Sequence, residues 1–264
     1  MSMSTETPFV IVGAGRIGRA IATRLEALEL PVALVTRDAG WEAVYDGPLG
    51  DPILVCVRTD DLADVVARVP ERRRADLVFI QNGAIRPLLQ SLGVGGCTRG
   101  VLYFSADAHG HVAVGGDSPF CGPHAMSVAR VLGAAGLSTR VVDWAMFTYF
   151  EAEKLLWLAV FGVLSEQHRQ PVGVIADQRR DEVAALVTEL LPMLRATYGI
   201  DPERAPTIDR LCLYASRIPT WSAAVREWPW RNGWFEQVAR EFGRPTPLHQ
   251  AALIAAGHAD HLAS

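Results

Sequence analysis

The tightest constraint on this chain is Gly13-Ala14-Gly15-Arg16-Ile17-Gly18. This Gly-x-Gly-x-x-Gly turn is fed by the apolar run Phe9-Val10-Ile11-Val12 and followed by a helical pattern over residues 19–26. Glycines at this spacing between a strand and a helix meet three needs. Gly13 permits the tight turn, Gly15 lets the backbone approach a pyrophosphate, and Gly18 lets the helix pack close to the strand. The phosphates would lie on the helix N-terminus, where N–H groups and the positive end of the helix dipole point outward. A second strand over residues 32–36 completes the context that the motif requires. The turn therefore reads as a dinucleotide site, with Gly13, Ala14, Gly15, Arg16, Ile17 and Gly18 around the pyrophosphate.

Thr36 and Arg37 end the second strand, where the cofactor ribose would lie. NAD-specific sites usually place Asp or Glu there, whereas Arg suits a 2′-phosphate, so Arg37 points to NADP(H) over NAD(H). Asp38 follows at once, and an arginine at a strand end also reads as a solvated side chain. Residues 53–57 and 76–80 are further strands by length and β-branched content, with Cys56 inside the first as a small hydrophobe. A helix over 61–69 lies between them, with Thr59 or Asp60 as its N-cap. Strands alternating with helices at this spacing predict a parallel sheet with helices on both faces, whose ligands collect at the strands' carboxyl ends. Gly13, Arg37, Arg58 and Asn82 all fall at such ends, which adds Arg58 and Asn82 to the cofactor residues.

From residue 98 to 143 the pattern becomes three strands (100–105, 111–115 and 138–142) and one helix (123–135), read as a meander completing the sheet. Beyond it only helices are expected, over 147–166, 181–198, 209–216 and 234–242. The fold class is thus α/β. A Rossmann-type parallel-sheet domain spans 1–143, followed by an all-α domain over 144–264.

Half of the 264 residues are hydrophobic and a fifth are charged, so an ordinary core can be buried. A net charge of −4 argues against nucleic acid or an anionic membrane as partner. The basic run Arg72-Arg73-Arg74 reads as a solvated loop. Four dispersed cysteines imply neither disulfides nor zinc and fit a reducing cytoplasm. His109 and His111 flank a glycine in a hairpin turn and lack the partners of a metal site, so they read as surface residues. Residues 1–7 are too polar for a secretory signal, and the apolar stretch 155–164 is half the length of a membrane span.

The order of features resembles the ketopantoate reductase family, of the 6-phosphogluconate-dehydrogenase-like superfamily. The likeness rests on the glycine turn, on Asn82-Gly83 ending a central strand, and on Lys154-Leu155-Leu156 followed by Pro171-Val172-Gly173. It also rests on Glu227 five residues before Asn232-Gly233, and on Pro245-Thr246-Pro247. The resemblance implies an NADPH-dependent reductase of a 2-oxo acid or a related carbonyl or imine. It assigns Lys154 as general acid and Asn82 as the amide touching nicotinamide and substrate. Glu227 would be the glutamate that holds a substrate hydroxyl or orients the lysine. Thr220 or Ser222 would hold the substrate carboxylate, and a homodimer is expected by analogy.

An aromatic, apolar setting (Phe147, Tyr149, Phe150, Trp157) would pull the Lys154 pKa down, with Glu151 and Glu153 offsetting the shift. Asn82 also reads as a turn residue beside Gly83, and Glu227 as a surface residue beside Arg226. Where the family places two asparagines, four and eight residues after the lysine, this chain has Leu158 and Gly162. Trp221, Trp228, Trp230, Trp234 and Phe235 make the C-terminal part aromatic, for a larger or more apolar substrate or for packing. The alternative is a catalytically silent nucleotide-binding protein that meets a partner through its Trp-rich helices.

Overall fold

The computed structural model describes residues 7–107 and 110–263; His109 lies outside them. In chain order the elements are β1 (Phe9–Val12), α1 (Arg16–Glu26), β2 (Val32–Val35), α2 (Glu42–Tyr45), β3 (Ile53–Val55), α3 (Leu62–Arg68), β4 (Leu77–Phe79), α4 (Arg86–Ser91), β5 (Thr98–Gly100), β6 (Phe104–Ala106), β7 (Val112–Val114), β8 (Ser118–Cys121), α5 (Ala125–Ala134) and β9 (Thr139–Val141). Helices follow: α6 (Trp144–His168), α7 (Val172–Gln178), α8 (Arg180–Tyr198), α9 (Arg204–Arg217), α10 (Asn232–Glu241) and α11 (Pro247–Ala255). The chain forms two compact units, Met1–Gln81 with Ile85–Phe147, and Asn82–Ala84 with Thr148–Ser264.

The first unit is a Rossmann-type sheet in the order β2-β1-β3-β4-β5-β8-β9. Its strands from β2 to β5 run parallel, β8 lies antiparallel to β5, and β9 is parallel to β8. Phe9, Val10, Ile11 and Val12 are all buried, as a central strand covered on both faces requires. Ile21 and Leu25 of α1 share one apolar core with Phe9 and Ile11 of the sheet and Val128 and Leu132 of α5. The expected meander differs in pairing. β6 and β7 form a separate two-stranded sheet, and the closing strands are β8, which no local pattern announces, and β9. Ser118-Pro119 has the composition of a turn, yet β8 is fully buried beside β5.

Three local expectations need correction. Arg73 of the basic run is 0 % exposed. Its Nε donates to Asp76 Oδ2 at 2.6 Å and its Nη2 to the Asp51 carbonyl at 3.0 Å, so it braces the 3-10 turn Glu71–Asp76 against the loop before β3. Cys56 stands just past β3, its N–H donating to the Val12 carbonyl at 2.7 Å. A 3-10 turn, Thr59–Asp61, precedes α3, so the N-cap is Asp61 and no side chain caps the helix. His111 is exposed, as expected, and pairs with Asp107.

In the second unit α6 is the central element. Ala152, Leu155, Leu156, Trp157, Ala159, Val160, Phe161, Val163 and Leu164 are all buried, so it is apolar nearly all round. α7 packs on α8 and α9, and α8 also meets α10 and α11. Glu189 accepts hydrogen bonds from the Leu248 and His249 N–H groups and so caps α11. Proline at the first helical position starts that helix, so Pro245-Thr246-Pro247 is an entry to a further helix rather than only a break. Among the described residues no helix is long and apolar enough to cross a membrane.

Candidate active site

Two constellations stand out, one in each unit. In the first, the partners of Val12 are Val35 and Val55, so the carboxyl ends of β1, β2 and β3 lie side by side. Gly13 has a φ of +113°, and a Cβ there would stand 2.8 Å from the Cys56 backbone. A Cβ on Gly18 would stand 1.9 Å from the Gly13 carbonyl oxygen, so α1 starts this close to the turn only because residue 18 is glycine. Gly15 is the opposite case: a Cβ there meets nothing within 4 Å. No side chain caps α1 at Gly15, and no acidic residue occupies its first turn. Open space over Gly15, before an uncapped helix start, fits a pyrophosphate held by Ala14, Gly15, Arg16 and Ile17.

Around the end of β2, the Thr36 hydroxyl accepts the Ala39 N–H and the Thr36 carbonyl accepts Trp41 Nε1 at 2.9 Å. Arg37 extends into solvent with its side chain 83 % exposed, 3.7 Å from Asp61. Its carbonyl accepts Arg68, whose guanidinium lies over the Trp41 ring. Arg58 is exposed as well, 3.8 Å from Asp60. Both arginines are held only loosely, as a site that recruits a phosphate permits.

The second constellation surrounds Lys154, in the apolar body of α6. The residue is 5 % exposed. Its Nζ donates to the Tyr214 hydroxyl of α9 at 2.8 Å and lies over the Trp157 and Tyr214 rings. Burial pulls its pKa down from 10.5 to about 7, and the Arg231 guanidinium adds to the effect. Burial pushes the Tyr214 hydroxyl up. Of the two acidic neighbours, Glu153 is paired with Arg210, and Glu151 is buried one turn before the lysine.

Arg231, which sequence reasoning misses, is mostly buried and ion-paired with Glu227. Burial lowers its pKa, and Glu227 works against that. Glu227 itself has a φ of +46°, a left-handed conformation that a non-glycine residue holds only where its surroundings enforce it. Its carboxylate is therefore engaged by Arg231.

Asn82 joins this unit. The Ala84 N–H donates to the Trp230 carbonyl at 2.8 Å, and a Cβ on Gly83 would stand 2.7 Å from the same oxygen. That places Asn82 close to the segment carrying Arg231, with its Oδ1 buried and without a hydrogen-bond partner. Asn232, next to Arg231, donates to the Ala159 carbonyl of α6 at 3.1 Å and contacts His249 at 3.0 Å. Glu236 and Thr246 complete that buried network. A Cβ on Gly233 would run into the Trp228 indole.

Thr220 and Ser222 are exposed on the loop after α9. Around them, Val172 and Gly173 donate to the Trp221 and Pro219 carbonyls. A Cβ on Gly162 would stand 3.1 Å from the Ala224 carbonyl oxygen, so backbone fills the space an asparagine would use. The C-terminal tryptophans pack locally: Trp228 stacks on His261 at 4.5 Å, and Trp234 meets Tyr198 and Phe235 edge-on. The rings beside the lysine are instead Trp157 and Tyr214, with Phe161 stacked on Trp157.

In class, the fold is that of the two-domain nicotinamide dehydrogenases. Among solved structures it matches a D-mandelate dehydrogenase in complex with NADH, with a TM-score of 0.70 and 16 % identity over 96 % of this chain and 98 % of that one. A ketopantoate reductase from Ralstonia eutropha matches with a TM-score of 0.67 and 20 % identity over 94 % and 98 %. A dimeric ketopantoate reductase from Staphylococcus aureus matches with a TM-score of 0.69 and 17 % identity over 96 % and 98 %. No family model matches the sequence, and no curated protein sequence does.

Proposed function

We propose that this chain is an NADPH-dependent oxidoreductase, a divergent member of the ketopantoate reductase family acting on a 2-oxo acid or a related carbonyl or imine. The observation that carries this reading is the buried Lys154 ammonium on the Tyr214 hydroxyl, with a pKa of about 7. A carbonyl receiving hydride needs a proton at oxygen, and an acid titrating near neutrality both holds and releases one. When bound, the nicotinamide cofactor supplies the hydride. Gly13 to Gly18 would hold its pyrophosphate, and Arg37 and Arg58 its 2′-phosphate. In the helical unit Lys154 donates the proton from Nζ, and Tyr214 fixes that nitrogen. The buried Asn82 Oδ1 offers an acceptor for the nicotinamide N–H groups or a substrate hydroxyl. The lack of asparagines at Leu158 and Gly162, with the Trp157 ring beside the lysine, favours a substrate larger or more apolar than ketopantoate.

Four free thiols suit a cytoplasmic setting, and the dimeric Staphylococcus aureus structure of like fold supports a homodimer. The alternative, a silent nucleotide-binding protein that meets a partner through its helices, draws on the backbone-filled space at Gly162. Lys154→Ala separates the two. A reductase loses about 10²-fold or more in kcat with NADPH affinity kept, whereas full turnover in the variant, or none in the wild type across a panel of 2-oxo acids and imines, overturns the reductase reading.

A further inference from the structure

We propose that Arg231 is the residue that anchors the substrate carboxylate, giving the Lys154 site its selectivity for anionic carbonyl compounds. This rests on the reductase reading and assigns the carboxylate to a residue other than Thr220 or Ser222, which lie on an exposed loop.

The geometry begins at the backbone. Trp230 is tied to Ala84 at 2.8 Å, and Asn232 is tied to the Ala159 carbonyl of α6 at 3.1 Å. The residue between them is thereby held against the helix that carries Lys154, little more than one turn beyond it. Its guanidinium gives Nη2 to Glu227, while Nε is buried without a hydrogen-bond partner. Leaving a charged donor buried and unmatched is costly unless something else supplies the acceptor.

The charges point the same way. Lys154 and Arg231 are two buried cations near enough for one to disfavour ionisation of the other. Glu227 pairs with Arg231, Arg226 adds a further positive charge beside it, Tyr214 of α9 and the Trp157 ring meet the lysine, and Glu151 and Glu153 are buried on the lysine's own helix. Glu227 answers the Arg231 charge on one side. A carboxylate reaching the unmatched Arg231 Nε adds the charge-assisted bonds that a guanidinium forms best. Its arrival also offsets the Arg231 repulsion, which adds to burial in lowering the lysine's proton affinity. Bound substrate therefore favours the protonated amine, and the acid is charged when the carbonyl to be reduced is in place.

The test uses the full chain saturated with NADPH, with oxamate as an unreactive anionic probe and ethyl oxamate as its uncharged counterpart, both measured by calorimetry. Oxamate is expected to bind the wild type at least about tenfold more tightly than the ester. Arg231→Met is expected to lose that preference, and Arg231→Lys to keep part of it. With 2-oxo-acid substrates, the basic limb of kcat is expected at higher pH than that of kcat/KM. Equal binding of acid and ester by the wild type, or unchanged oxamate binding in Arg231→Met, overturns the assignment. Should Arg231→Met fail to fold, the acid-against-ester comparison and Arg231→Lys decide it alone. Arg231-dependent oxamate binding without turnover of any 2-oxo acid would sink the reductase reading and leave the anion site standing. Turnover undiminished in Arg231→Met would do the reverse.

Discussion

Lys154 Nζ donates to the Tyr214 hydroxyl at 2.8 Å, across 60 residues of sequence and inside a cage formed by the Trp157 and Tyr214 rings. The amine is thus removed from water and bonded to a fixed hydroxyl. Burial lowers its pKa, the Arg231 guanidinium adds to the effect, and the Tyr214 hydroxyl accepts from the charged form. The balance is an acid that titrates at about 7.

In the proposed reaction the protonated amine is the donor, so kcat/KM for reduction is expected to fall as pH rises through about 7. Tyr214→Phe removes the acceptor of the charged form and moves that limb to lower pH, with about a tenfold loss in kcat. A pH–rate profile of both proteins checks this; a limb unmoved in the variant would mean the hydroxyl leaves the lysine's ionisation untouched.

The same ionisation couples to folding. The amine loses its proton at about 7 in the folded chain and near 10.5 in the unfolded one. Between these values the unfolded chain binds more protons, so stability rises with pH across the window, and below it the penalty of the buried charge is complete. Lys154→Met carries no such dependence. From about pH 6.5 to 9.5 the stability difference should move in favour of the wild type by roughly 2–3 kcal/mol. Parallel curves in urea denaturation would contradict a dry amine.

Gly15 and Gly18 differ in what surrounds them, and alanine at each gives opposite results. Gly15→Ala enters open space, so thermal stability stays within about 0.5 kcal/mol while NADPH affinity falls at least about tenfold. Gly18→Ala drives a methyl into the Gly13 carbonyl and destabilises the fold by about 1–3 kcal/mol. Differential scanning fluorimetry with and without NADPH reads both.

Arg37 is exposed and paired only at 3.7 Å, so Arg37→Ala leaves the fold intact. Its expected effect is on cofactor choice: stabilisation by NADP⁺ drops toward that by NAD⁺. A wild type stabilised equally by both would remove the case for a 2′-phosphate site.

Arg73 carries no catalytic role and the opposite sensitivity. With its guanidinium fully buried on Asp76, Arg73→Met leaves that carboxylate without its cation and costs about 3–5 kcal/mol. Chemical denaturation measures it, with the NADPH affinity of the folded fraction as the internal control.

Local chemistry makes much of the first unit legible in the chain itself. The glycine turn, the buried strand before it and the arginine at the next strand end are set by short-range geometry, and a few neighbouring residues suffice to specify it. Sequence patterns fail where a local signal has two outcomes. Pro247 could end or begin a helix, and capping by Glu189, 59 positions before Leu248, settles it as a beginning. Ser118-Pro119 could be a turn or a strand, and a buried place beside β5 makes it a strand.

Lys154 is identifiable from its neighbours, because an apolar helix around one amine is a property of adjacent residues. The rest of its setting is not. Tyr214 and Arg231 carry no local mark that distinguishes them from any other helical tyrosine or loop arginine, and they reach the lysine only when α6, α9 and the turn before α10 pack together. The Arg73–Asp76 pair likewise reads as solvated charge until folding closes over it. Sequence specifies which groups are available and which local shapes they prefer; burial and the company of charges belong to the packed chain, since both depend on atoms brought from far along it.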